Sequence, residues 1–172
     1  IARVKPVLAR LAGKLSAPIS IDTRRSDVAR AAIDLGASII NDVTGLSGDP
    51  AMAGLAAERH AAVVVMHMRG TPETMQIDPR YDDVTAEVLA WLETRAADLV
   101  AAGIAREAII VDPGIGFGKR LEHNLALLAE IGDFHRRPPV GFVGRQFDIE
   151  GTDGLAAHEQ FHPPLGGPVL HG

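Results

Sequence analysis

Residues 109–114, Ile-Ile-Val-Asp112-Pro-Gly, end a short apolar run with a carboxylate and a tight turn. The pattern occurs three more times, in Ile-Ser-Ile-Asp22-Thr, Ile-Ile-Asn41-Asp42-Val and Val-Val-Val-Met66-His67-Met68. Each run is rich in Ile and Val and apolar at nearly every position. That reads as a strand buried on both faces, and therefore as part of a parallel sheet. Segments of helical length separate the runs, so the order is strand, helix, strand, repeated. In a closed parallel barrel the carboxyl ends of all strands open onto one shared face. Asp22, Asn41, His67 and Asp112 are then expected to point into a single polar pocket, and function is expected there.

The fold class that follows is α/β, a partial (β/α)8 TIM barrel. With 47% apolar residues, the 172-residue chain can bury a substantial core. A complete barrel of this kind takes about 250 residues. The sequence offers five credible strands, so the first two strands and the last one or more are expected to be missing. The chain begins at Ile1, as a fragment would. A net charge of −5, with no run of basic residues longer than an arginine pair such as Arg136-Arg137, argues against a nucleic-acid partner held through its phosphates. The absence of cysteine excludes disulfides and thiolate metal sites and fits a cytoplasmic location. No apolar run has the length of a membrane span or the layout of a signal peptide, so no membrane partner is expected.

The segments between the strands read as follows. Residues 1–15 place Val4, Leu8, Leu11 and Leu15 at helical spacing, with Pro6 early enough for a helix to tolerate. A strand at about 18–22 leads to a helix with Asp27 in its first turn, Val28, Ala31, Ala32 and Leu35 on one face, and Gly36 as its stop. A strand at 38–43 precedes the Thr-Gly-Leu-Ser-Gly loop and a short helix near 50–59. The strand at 62–67 opens the loop MRGTPETMQIDPRYDD, which is longer than ordinary connections and so a candidate for function. Asp82 or Asp83 caps the longest helix, whose stripe is Val84, Val88, Trp91, Leu92, Ala96 and Leu99 and whose end is Gly103. The strand at 108–112 runs into Pro-Gly-Ile-Gly-Phe-Gly-Lys, and a helix at about 120–131 follows. Residues 1–135 are thus the partial barrel. Residues 136–172 are a divergent, irregular tail, in which only Val140-Gly-Phe142-Val143 reads as one more strand.

Two motifs invite readings that their surroundings do not support. Gly114-Ile-Gly116-Phe-Gly118-Lys119 suggests a phosphate loop, since glycine-rich turns can turn backbone amides onto anions. Its spacing matches neither the Walker pattern nor the dinucleotide fingerprint. The better reading is a strand-to-helix loop whose glycines let a ligand approach the backbone. His158-Glu159-Gln-Phe-His162 matches the zinc-protease motif letter for letter. That chemistry needs one continuous helix and a third ligand. Pro163 and Pro164 follow at once and no third ligand is evident, so the match reads as coincidence.

Asp22, Asn41 and Asp112 could each be an ordinary turn former. Three such groups closing three buried strands need partners, however. A carboxylate accepts two parallel hydrogen bonds from an amino-plus-ring-NH edge, and an amide serves an edge of mixed donors and acceptors. Together they suit a planar heterocycle, with Val43 and Met66 as apolar walls. His67 is open between a structural and a ligand-contacting role.

With these residues in view, the stretch from Ile19 to Ile131 resembles the dihydropteroate synthase family. The motifs that carry the resemblance are SIDT (20–23), GASIINDVTGL (36–46), VVMHMRGTPETMQ (64–76), YDDV (81–84), AGI (102–104), DPGIGFGK (112–119) and His123-Asn124. The resemblance implies the third to sixth strands of a (β/α)8 barrel. It implies pterin contacts at Asp22, Asn41 and Asp112, pterin-pocket walls at Val43 and Met66, and a place beside p-aminobenzoate for Phe117. The implied reaction joins 6-hydroxymethyl-7,8-dihydropterin diphosphate to p-aminobenzoate, giving 7,8-dihydropteroate in folate biosynthesis, with Mg²⁺ on the diphosphate. It also implies a cytoplasmic sulfonamide target and a homodimer. Nothing here matches the family's metal-binding loop, and Val143-Gly-Arg145-Gln-Phe stands where the family has its Ser-Arg-Lys loop. The expectation is therefore a chain inactive on its own, with a non-catalytic pterin-binding remnant or truncated gene product as the alternative. No catalytic residue and no metal ligand is assigned.

Overall fold

The computed structural model describes residues 1–136 and 141–142. A helix α1 (Lys5–Leu11) precedes alternating strands and helices: β1 (Ser20–Asp22), α2 (Ser26–Ile33), β2 (Ile39–Asp42), α3 (Met52–Glu58), β3 (Ala62–Met66), α4 (Val84–Ala101), β4 (Ile109–Asp112), α5 (Leu121–Ala129), α6 (Ile131–Arg136) and β5 (Gly141–Phe142). The five strands form one sheet in chain order, and every neighbouring pair is parallel. This is the expected partial α/β barrel. The strand read near 140–143 is present at Gly141–Phe142; the rest of the tail, with His158 and His162, lies outside the described residues.

The register explains which face each side chain takes. Ile21, Ile40, Val63, Val65, Ile109 and Val111 belong to one core with Ala29, Ala32, Leu55, Val88, Leu92 and Leu99 of the helices. Side chains alternate along a strand, so Asp22, Asn41, Val64, Met66, Ile110 and Asp112 occupy the opposite face. The expectation of strands buried on both faces holds in full only for β3. In β1, β2 and β4 the second face is exposed or half-buried. Ile39 and Ile110 lie on that more open face, and their apolar character hid the two-residue alternation.

Local chemistry sets the helix ends. Asp83 is the N-cap of α4, its carboxylate accepting from the Ala86 N–H at 3.0 Å, and Gly103 at φ +97° turns the chain after it. The stripe of α4 is as read, with Val84, Val88, Leu92, Ala96 and Leu99 buried and Trp91 half-buried. The first helix is shorter than its spacing suggested. Of its apolar stripe only Leu8 is buried, while Leu15 lies beyond the helix and is exposed. No helix among the described residues is long and apolar enough to cross a membrane.

Candidate functional site

The open sheet face brings the sequence-derived residues together in two layers. Asp22 pairs directly with Asn41 across β1 and β2, and Met66 pairs with Asp112 across β3 and β4. Neighbouring parallel strands lie about 4.8 Å apart, so each pair presents its side chains next to one another. Asp22 is exposed, Asn41 and Asp112 are half-buried, and Met66 is buried. Asp112 is held at two points. Its Oδ1 accepts from the Gly114 N–H at 2.7 Å, and its backbone carbonyl accepts from the His67 N–H at 3.0 Å.

Above β2 and β3 opens a cavity of about 300 Å³, lined in part by Arg24, Val43, Thr44, Met66, Met68, Pro72 and Trp91. Val43 and Met66 both line this cavity. Asp22, Asn41 and Asp112 are not among its lining residues; Asp112 joins it only through its strand partner Met66. The loop after β2 is shaped by Asp42, which is fully buried on the helix-facing side. Its Oδ1 accepts from the Thr44 N–H at 2.8 Å and the Thr44 hydroxyl at 2.7 Å, while Oδ2 has no partner among the described residues.

The glycine-rich loop differs from its sequence reading. A β-carbon on Gly114 would lie 2.0 Å from the His67 carbonyl oxygen, and one on Gly118 would lie 2.6 Å from that of Arg69. Both glycines have φ above +60°. What approaches the loop so closely is the backbone following β3, so two of its glycines serve a loop-to-loop contact rather than a ligand. Further bonds tie the two loops. Gln76 Nε2 donates to the Gly116 carbonyl at 2.6 Å, and the Tyr81 hydroxyl donates to the Gly118 carbonyl at 2.8 Å. Asp78 pairs with Arg120, and the Arg69 guanidinium lies 4.2 Å from the Tyr81 ring centroid. Asn124 Oδ1 accepts from the Gly116 N–H at 2.8 Å, which gives the His123-Asn124 motif a role in the same loop. Phe117 sits half-buried in it.

His67 does not join the polar pocket. It follows Val63 and Val65 in the alternation and faces the helices, where it is 5% exposed and meets Trp91 edge-on at 5.2 Å between ring centroids. Its Nδ1 lies 3.1 Å from the Lys119 ammonium. Lysine can only donate there, so Nδ1 accepts and the ring proton is assigned to Nε2. Burial, then the charges of Lys119 and Arg69, lower the imidazole to about 4. At neutral pH it is an uncharged structural residue. Lys119, which entered the sequence reading only as the end of a rejected phosphate-loop motif, is itself buried between the loops.

Among the described residues no group of three His, Cys, Asp or Glu side chains is placed to hold a metal ion. These residues do not by themselves fit a protein-bound Mg²⁺, and no chemical step is routed through one.

The sequence profile of the pterin binding enzyme family matches residues 1–144. The chain belongs to this family. Among curated relatives, the dihydropteroate synthase of Neisseria meningitidis serogroup B is 49% identical over 133 residues, 76% of this chain and 46% of that protein. Among solved structures, the Yersinia pestis dihydropteroate synthase in a sulfonamide drug complex superposes with a TM-score of 0.75 at 38% identity, covering 78% of this chain and 49% of that one. A Xanthomonas albilineans dihydropteroate synthase in complex with 7,8-dihydropteroate gives a TM-score of 0.70 at 39% identity, covering 78% and 48%. The chain thus spans about half the length of the relatives it matches.

Proposed function

We propose that this chain carries the pterin-holding part of a dihydropteroate synthase. Such a transferase condenses 6-hydroxymethyl-7,8-dihydropterin diphosphate with p-aminobenzoate to give 7,8-dihydropteroate in folate biosynthesis. The observation that carries the reading is the placement of Asp22, Asn41, Met66 and Asp112 on one sheet face of a pterin-binding family member.

In this reading the free oxygen of Asp112 accepts from the amino and NH donors of the pterin edge, while Asn41 and Asp22 serve its mixed edge. Val43 and Met66 bound the ring, and Phe117 lies toward p-aminobenzoate. Carboxylates facing a ring that gains positive charge stabilise the transition state electrostatically. No described residue is given a covalent or proton-transfer role. Mg²⁺ belongs with the diphosphate of the substrate. A cytoplasmic setting and a homodimer belong to the same reading.

Calorimetry with a 7,8-dihydropterin tests the site. Each charge-assisted hydrogen bond to a carboxylate is worth about 1.5–3 kcal/mol, so Asp112→Ala is expected to abolish measurable binding. Equal affinity for Asp112→Ala and the parent chain places the pterin elsewhere and removes the basis of the proposal.

A further inference from the structure

One buried charge has no part in this reading. Lys119 is 3% exposed, and its Nζ lies 2.9 Å from the Gly114 carbonyl, 2.9 Å from the Phe117 carbonyl, 3.3 Å from the His67 carbonyl and 3.1 Å from His67 Nδ1. An ammonium has three protons to donate, and four acceptors from two loops converge on it. Three of those acceptors belong to Gly114 and His67, the two residues that hold Asp112. The Gly114 N–H donates to Asp112 Oδ1, and the His67 N–H donates to the Asp112 carbonyl. A closed ring of contacts runs from Asp112 to Gly114, to Lys119, to His67 and back to Asp112.

We propose that Lys119 is the positioning residue of the pterin site, orienting the Asp112 carboxylate through Gly114 and His67. The proposal rests on Asp112 being the pterin acceptor. Gly114, with no side chain and φ +68°, can hold Asp112 Oδ1 in place only if it is itself held. Lys119 supplies that hold at the Gly114 carbonyl, so Oδ2 faces the ligand in a fixed direction. The ammonium is enclosed by protein acceptors and acts from behind. Burial lowers it to about 8, Asp112 opposes that lowering and Arg69 adds to it, so it remains predominantly charged at neutral pH.

The parent chain has no cysteine, so Lys119→Cys introduces a unique thiol. Alkylating it in denaturant with 2-bromoethylamine rebuilds an ammonium of lysine length, with sulfur in place of one methylene. Alkylation with 1-bromopropane gives a neutral chain of the same length. Both forms are refolded, matched to the parent by circular dichroism, and titrated with 7,8-dihydropterin in the calorimeter. The aminoethyl form is expected to bind like the parent. The propyl form is expected to bind about tenfold more weakly or worse, as when a group that orients a ligating side chain from behind is removed. Asp112→Ala is run alongside. If it binds like the parent, or if the parent does not bind, the pterin reading fails and the proposal with it. If it loses binding while the propyl form keeps it, only the role of Lys119 is overturned.

A second measurement uses the parent alone and covers a propyl form that does not refold. The chain contains three lysines, Lys5, Lys14 and Lys119, so their ammonium resonances can be assigned after ¹⁵N-lysine labelling. Adding dihydropterin is expected to shift the Lys119 signal and leave the other two in place. A Lys119 signal that does not move at saturation overturns the proposal.

Discussion

Gly114 is packed so closely on His67 that a β-carbon added to it would lie 2.0 Å from the His67 carbonyl oxygen. The clash is with backbone on the far side of a strand pair, so no side-chain rotation relieves it. Gly114→Ala also forces an L-residue to φ +68°. The two loops must then separate, and the expected loss of stability is about 3 kcal/mol or more. Gly116 is the internal control. It has φ +85° but nothing within 4 Å of the added carbon, so Gly116→Ala should cost only the backbone strain, about 1–2 kcal/mol. Urea unfolding compares the two, and equal midpoints would count against the loop packing.

Tyr81 tests the other side of the same contact. Its hydroxyl donates to the Gly118 carbonyl at 2.8 Å from a half-buried position. Tyr81→Phe keeps the ring that lies beneath the Arg69 guanidinium and removes only the hydrogen bond. The expected cost is about 0.5–1.5 kcal/mol, together with faster amide exchange in the loop after β4. Exchange unchanged from the parent would mean that the hydroxyl does not tie the loops.

The buried imidazole of His67 makes stability depend on acid pH. Its pKa in the folded chain is lowered from 6.5 to about 4, first by burial and then by Lys119 and Arg69. Between those values the unfolded chain binds the proton that the folded chain refuses. Stability is therefore full above about pH 6.5 and is lost as pH falls toward 4, by about 3 kcal/mol from this group. His67→Gln, which keeps an acceptor for Lys119, should flatten that part of the stability curve. An acid limb as steep in His67→Gln as in the parent would assign the effect to other groups.

These residues also mark how far the sequence could be read. Strand ends were legible near Asp22, Asn41 and Asp112 because polar residues close each Ile/Val run, and the cap of α4 was legible as Asp82 or Asp83, of which the structure takes Asp83, because acidic residues stand before a clear helical stripe. The face taken by His67 was not. Residues 62–66 are buried on both sides, so nothing in the run marks which parity turns to the pocket. The burial of Lys119 was invisible for a different reason. Lysine is almost never fully buried unless paired, and its partners here are carbonyls of Gly114, Phe117 and His67, which no side-chain pattern encodes. Positive φ at Gly114 and Gly118 could be guessed from the glycines; that their missing side chains make room for another stretch of backbone emerged only from the tertiary structure.

Helix α5 presents Leu121, Leu125 and Leu128, all more than half exposed, at the spacing of one helical stripe. Three leucines more than half exposed on one face favour association, because fully covering an exposed leucine side chain is worth about 1.5–3 kcal/mol. The full chain is therefore expected to self-associate as its concentration rises, as light scattering would register. Replacing Leu125 and Leu128 together by Glu should move the equilibrium toward monomer. The urea midpoint at low concentration should barely change, since neither side chain belongs to the core cluster. Unchanged association in the double variant would show that the contact lies on another face. A fall in the dilute-solution midpoint would show instead that these leucines are packed within the chain.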